Sequence, residues 1–117
     1  INKLENTDPM VMIKNYDEYT PISLGAIKYI LSDNRHAVFC LVDNSKLESS
    51  RTFAEVMTDI LKISNCFVQS HRSYAVNMSL IRCFKSDKLI FKDDTSVPLS
   101  PHYKKNVLEY YGNELMK

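Results

Sequence analysis

From Met10 onward the chain is a succession of short apolar runs set apart by turn-forming residues. MVMI (10–13), YTPIS (19–23), AIKYIL (26–31), AVFCLV (37–42), CFV (66–68), YAV (74–76), LIRCF (80–84), KLIF (88–91) and SVPL (96–99) follow one another with few longer apolar stretches. Runs of four to six residues rich in Val, Ile, Tyr and Phe favour strands over helices. AVFCLV has no polar alternation and is expected to be the most buried strand. KLIFKDDTSVPL reads as a hairpin turning at Asp93 and Asp94, both tolerant of turn geometry.

One segment breaks the rhythm. Thr52 and Glu55 fit a capping box, and Phe53, Val56, Met57, Ile60 and Leu61 then recur at helical spacing, so a helix is predicted over roughly 53–63 with those five residues on its sheet-facing side. A second, shorter helix is predicted with Ser100 as N-cap and Pro101 in first position, running through Tyr103 and Val107 to Gly112. The class is therefore mostly β with one or two short helices. Residues 1–9, polar and ending in Pro9, read as a flexible lead-in or linker remnant, leaving 10–117 as the folded domain.

At 117 residues, 44% hydrophobic and 25% charged, one domain with a real core is expected, not a disordered tail. No apolar run approaches the roughly 18 residues of a membrane span, and the acidic first twenty residues do not resemble a signal peptide. A soluble cytoplasmic protein is expected, without membrane association. Cys40, Cys66 and Cys83 form no close pair and suit a reducing compartment. Two glycines are too few for a phosphate-binding loop or a dinucleotide fingerprint. The scattered His and Cys residues lack zinc-site spacing, Cys66 has no evident activating neighbour, and no carboxylate pair stands out. No metal, no cofactor and no catalytic residue is expected, and the chain reads as a non-enzyme.

The net charge of +1 conceals an uneven distribution. Residues 1–59 hold six basic and nine acidic groups (net −3), residues 60–92 six basic against Asp87 alone (net +5), and residues 93–117 three basic and four acidic (net −1). A local excess of this size suits an anion-facing surface, although charge runs are also ordinary solvated faces. Within it, Gln69, Ser70, His71, Arg72 and Ser73 are five consecutive polar residues between apolar runs. Each can bond a phosphate oxygen or a base edge, and Arg can bond guanine O6 and N7 together. The plainer alternative is a surface loop whose Arg holds a carboxylate. A second polar knot, Ser32 to His36, reads as a five-residue connection offering Asn34, Arg35 and His36, or simply as a turn shaped by Asp33 and Asn34. A third group, His102, Lys104 and Lys105, opens the last helix, where backbone N–H groups favour a phosphate.

Residues 67–77, FVQSHRSYAVN, with the capped helix TFAEVMTDIL before them and IRCFKSDKLIF after them, resemble the LytTR DNA-binding domain of bacterial response regulators. The family pattern is a helix, then F-x-x-x-H-[RK]-S-[YF]-x-V-N, an Ile-containing strand, a hairpin and a final Ser-x-x-Tyr, here Ser100-Pro101-His102-Tyr103. The resemblance spans about Met10 to Tyr111. It implies small antiparallel sheets with a short helix, and contact with double-stranded promoter DNA through loops. Carried over by position, Asn34, Arg35 and His36, His71 and Arg72, and His102 and Lys104 become the expected DNA-binding residues, with Asn77 structural. It further implies a sequence-specific effector domain of a transcription regulator, binding as a homodimer on repeated half-sites, and a phosphorylatable receiver domain for which this sequence has no room. Two departures stand out: Pro101 occupies a position often basic in the family, and Asp94-Thr95 replaces a common hairpin Gly. The alternative is a β-rich protein-interaction or sensory module that uses the same loops without DNA.

Overall fold

The computed structural model describes residues 9–112, and the expected lead-in, apart from Pro9, lies outside the described residues. Strands β1 (Met10–Asn15) and β2 (Glu18–Ser23) form an antiparallel hairpin. After a 3-10 turn at Leu24–Ala26 come β3 (Ile27–Asp33), β4 (His36–Leu41), β5 (Lys46–Thr52) and helix α1 (Phe53–Ile63). Next are β6 (Phe67–His71) and β7 (Tyr74–Asn77), a 3-10 turn at Met78–Leu80, β8 (Ile81–Phe84), β9 (Lys88–Phe91) and β10 (Ser96–Pro98). A 3-10 turn at Pro101–Tyr103 leads into α2 (Lys104–Tyr111). A central five-stranded sheet in the order β5-β4-β3-β7-β6 and a three-stranded sheet β10-β9-β8 accompany the β1–β2 hairpin. The mostly β class with small antiparallel sheets and two short helices is what the structure contains.

The central sheet separates two cores. Ile27, Ile30, Ala37, Phe39, Phe67 and Ala75 pack against Phe53, Val56, Met57 and Ile60 of α1 and Ile13 of β1. On the opposite face Val76, with partly buried Tyr29 and Val68, packs against Ile81, Leu89, Phe91, Val97 and Val107. Covering both faces explains the unbroken apolar run of β4, where Ala37 to Cys40 are all buried. One irregularity governs the far side: the β3–β4 register shifts between Ile27 and Tyr29. The extra residue, Lys28, lets Ile27 and Ile30 share a face although three apart, and Lys28 with Tyr29 turns toward the second core.

Four expectations need correction. β5 was not foreseen, because KLESSRT is polar; it is an edge strand that buries only Ser49 fully and half-buries Leu47. Leu61 is 56% exposed, while Phe53, Val56, Met57 and Ile60 are buried. At about 100° per residue it lies some 80° around from Phe53, outside the stripe the sheet covers. Ser100 caps the 3-10 turn by accepting from Tyr103 N–H, and the α-helix itself begins at Lys104. The five-residue connection at Ser32–His36 is in fact a two-residue turn, since the strands pair as far as Asp33 and His36.

The capping box is present: Thr52 Oγ1 accepts from Glu55 N–H at 3.1 Å, and Glu55 Oε1 accepts from Thr52 N–H at 3.0 Å. These bonds hold the Glu55 carboxyl below the usual carboxylate range. α2 stops at Gly112, whose φ of 66° a glycine adopts without strain.

Candidate nucleic-acid interface

Two hairpin tips emerge at the same end of the central sheet. β3 runs toward its Asp33 end, and the antiparallel pairing of Leu31 with Tyr74 brings the start of β7 to that end as well. Asn34 and Arg35 form the β3–β4 turn with φ of 53° and 73°, the two positive values a type I′ turn requires. Asn accepts this conformation readily, but Arg at a position that favours Gly is held there at a cost. Arg72 and Ser73 form the β6–β7 turn. Two strand spacings separate these tips, about 10 Å, against a major-groove width of about 12 Å.

Three backbone hydrogen bonds align the loops. Phe53 N–H donates to the Arg35 carbonyl at 2.9 Å, seating the first tip on the start of α1. Ser32 N–H donates to the Ser73 carbonyl at 2.8 Å, joining the two tips, and Ser100 N–H donates to the Ser70 carbonyl at 2.8 Å, laying the third segment beside β6. The predicted residues of all three segments are thereby brought together along one edge, an arrangement no local sequence pattern encodes.

The side chains differ in how they are held. Asn34, Arg35, His36, Arg72 and His102 are exposed, while His71 and Lys104 are half-buried. His71 Nδ1 accepts from Ser73 N–H at 3.1 Å, and its ring meets Tyr74 edge-on at 5.7 Å. With that lone pair engaged, the neutral ring carries its proton on Nε2, free to donate outward. His102 lies edge-on to Tyr103 at 5.0 Å. Gln69 donates to the Arg72 carbonyl at 3.2 Å and stiffens the tip. Ser70 does not belong to a solvated loop: it is fully buried in β6, and its hydroxyl donates to the Pro98 carbonyl at 3.0 Å. Asn77 is structural, donating to the Ile27 carbonyl at 3.0 Å and accepting from Ser79 N–H at 3.1 Å.

Pairing separates the cations into two groups. The side chains of Arg35 and Arg72 have no carboxylate partner among the described residues, and among those residues Arg72 does not act as a carboxylate clamp. The ion pairs found there are Lys28–Asp93 at 2.9 Å, Arg51–Asp59 at 2.7 Å and Arg82–Asp94 at 2.7 Å. Lys28 was not anticipated. It is 4% exposed, donates to Asp93, to Thr95 Oγ1 at 2.8 Å and to Asn44, and sits 5.3 Å from the centre of the Phe91 ring. Hydrogen bonds from Thr95 and Lys28 hold the Asp93 carboxyl far below the ordinary carboxylate range. Asp93 and Asp94 are thus turn residues that also anchor cations, and Asp94 takes the φ of 72° that a Gly would accept more easily.

Beside the first tip, a polar hollow of about 220 Å³ is lined by residues including Tyr16, Asp33, His36 and Glu48. Asn34 lines it as well, so the charge around Asn34 and His36 at the first tip is mixed. No group of three His, Cys, Asp or Glu side chains among the described residues is placed to hold a metal, and no helix there is long and apolar enough to cross a membrane.

No curated protein matches the sequence significantly. Four solved chains match the fold. One is the LytTr DNA-binding domain of a protein from Bacillus cereus described as a methyl-accepting/DNA response regulator. It has a TM-score of 0.69 and 19% identity, over 92% of this chain and 99% of that one. At that identity the likeness is one of fold. The sequence profile of the LytTr DNA-binding domain family matches residues 2–112, nearly the whole chain, and with the HRS hairpin and the aligned loops in place the chain belongs to the LytTR family of DNA-binding domains.

Proposed function

We propose that this LytTR domain reads promoter DNA in a bacterial cytoplasm through its three aligned loops, as the effector part of a transcription regulator. Arg35 and Arg72 enter the major groove and bond base edges or the adjacent phosphates. Asn34, His36, His71, His102 and Lys104 fix register on the backbone. With Pro101 unable to donate, His102 and Lys104 take over the contact that a basic residue makes at that position in many family members.

One observation carries this reading: two arginines, with guanidinium groups unpaired among the described residues, stand on neighbouring rigid tips at one sheet end, while Lys28, Arg51 and Arg82 are ion-paired. A single row of loops covers one stretch of groove, so two copies on repeated half-sites are expected, with a receiver domain in the full-length protein. The domain has no catalytic role in this scheme.

Selection of bound duplexes from a random pool tests it. Recovery of a repeated motif, with log K falling by about 0.9 per phosphate neutralised as log[salt] rises, is the expected result. No enriched motif together with a flat salt response returns the loops to protein recognition.

A further inference from the structure

The basic excess of residues 60–92 is only partly accounted for by Arg72. Arg82, Lys85, Lys88 and Lys92 all belong to the β8–β9 hairpin or its flanks, and the fold distributes them to its two ends. At the end beside the β9–β10 turn, Arg82 is tied to Asp94, and Lys92 N–H donates to the Leu80 carbonyl at 3.0 Å. At the other end, the β8–β9 turn carries Lys85, which is exposed, and Lys88, which is half-buried. Neither ammonium group has an ion-pair or hydrogen-bond partner among the described residues.

That turn is attached to the third loop. Leu99 N–H donates to the Asp87 carbonyl at 2.9 Å, and Lys85 N–H donates to the Lys88 carbonyl at 2.8 Å, closing the turn. Pro98 pairs with Lys88 across β10 and β9 and accepts from the Ser70 hydroxyl. The succession along this side is therefore the HRS tip, the Ser100–Lys104 segment and then the β8–β9 turn, each bonded to the next through rigid backbone. A duplex lying on the first two passes close to the third, and two ammonium groups there without ion-pair partners among the described residues are available to phosphate.

We propose that the β8–β9 turn is a fourth element of the DNA interface, with Lys85 and Lys88 contacting phosphates that flank the bases read by the loops. The proposal rests on the loop-reading function above and adds a sequence-independent contact to it. Lysine serves here as a point charge that raises affinity and sets register without discriminating among bases.

The test is a salt titration of the full chain on a duplex recovered by selection from a random pool and on an unselected duplex of equal length. Lys85→Ala/Lys88→Ala is expected to lower the slope of log K against log[salt] by about 1.8, and affinity at 0.1 M salt by about tenfold per lysine, on both duplexes alike. The ratio between the two duplexes stays as in the wild type. Lys85→Arg/Lys88→Arg keeps the wild-type slope, and Lys92→Ala, a lysine lost from the opposite end of the same hairpin, changes it little. Thermal unfolding of each variant separates lost binding from lost fold. An unchanged slope for the double alanine variant, with wild-type selectivity intact, overturns the fourth element and leaves the loop reading standing. Absence of selective binding by the wild type overturns both.

Discussion

Two regions of the domain carry cations and use their charge in opposite ways. Around the β9–β10 turn, Lys28 of the central sheet and Arg82 of the three-stranded sheet are held by Asp93 and Asp94, with Lys28 nearly out of solvent and over the Phe91 ring. At the loop end of the central sheet, Arg35 and Arg72 stand on two-residue turns with no ion-pair partner among the described residues. A paired cation has its charge already engaged by the protein; an unpaired, exposed one keeps its charge available to an external anion. Partner assignment, not the count of basic residues, separates the ion-paired region from the end proposed to bind DNA.

The largest effect expected from this contrast is on stability. Asp93→Ala leaves the buried Lys28 ammonium without its counter-charge and should cost about 2 to 3 kcal/mol in urea unfolding, less than a fully buried pair because the Asp93 side chain is 37% exposed. At temperatures where the variant is folded, the salt dependence of DNA binding should stay as in the wild type. A loss of binding out of proportion to unfolding would erase the distinction between the two regions.

At the end proposed to bind DNA the signs reverse. Arg72→Ala and Arg35→Ala should each weaken binding to a selected duplex by about 1 to 3 kcal/mol, with relaxed preference at the base read, and leave the unfolding midpoint nearly unchanged. Gel-shift affinities equal to wild type for both variants would remove the arginines from the interface.

Acid offers a graded version of the same comparison. Because the native Asp93 carboxyl lies far below its unfolded value of about 4, unfolding takes up a proton between the two. The stabilisation is complete above about pH 4 and is lost as pH falls toward the native value. Urea midpoints followed downward from about pH 5 should decline less steeply for Asp93→Asn than for the wild type.

The smallest effect is the most diagnostic of the tip. Arg35→Gly relieves a bulky residue held at φ of 73° and should raise stability by up to about 1 kcal/mol while lowering DNA affinity. A parallel loss of both would mean that the Arg35 side chain supports the fold.

Much of the local structure was legible without coordinates. The capping box at Thr52 and Glu55 and the spacing of Phe53, Val56, Met57 and Ile60 located α1 to the residue, because capping and helical periodicity involve neighbours three or four positions apart. The strand runs were legible wherever a face is buried. β5 was not, since an edge strand satisfies its backbone through one neighbour and can carry polar side chains throughout. Of the candidate site, the residue types and their three segments were visible, whereas the burial of Ser70 was hidden because its partner Pro98 lies 28 residues away.

The sequence by itself determined the alternation of short strands with one capped helix, the polar connections that contain Asn34-Arg35 and Arg72-Ser73, and membership of a family through the HRS motif; strand pairing narrowed each connection to a two-residue tip. Only the tertiary structure decided that those tips share an end of one sheet, that Lys28 pairs with Asp93 across 65 residues, and which cations remain available. Turns and helices arise from interactions among near neighbours. Charge neutralisation and loop alignment arise from strand pairing between distant segments, which register and packing select only once the chain has folded.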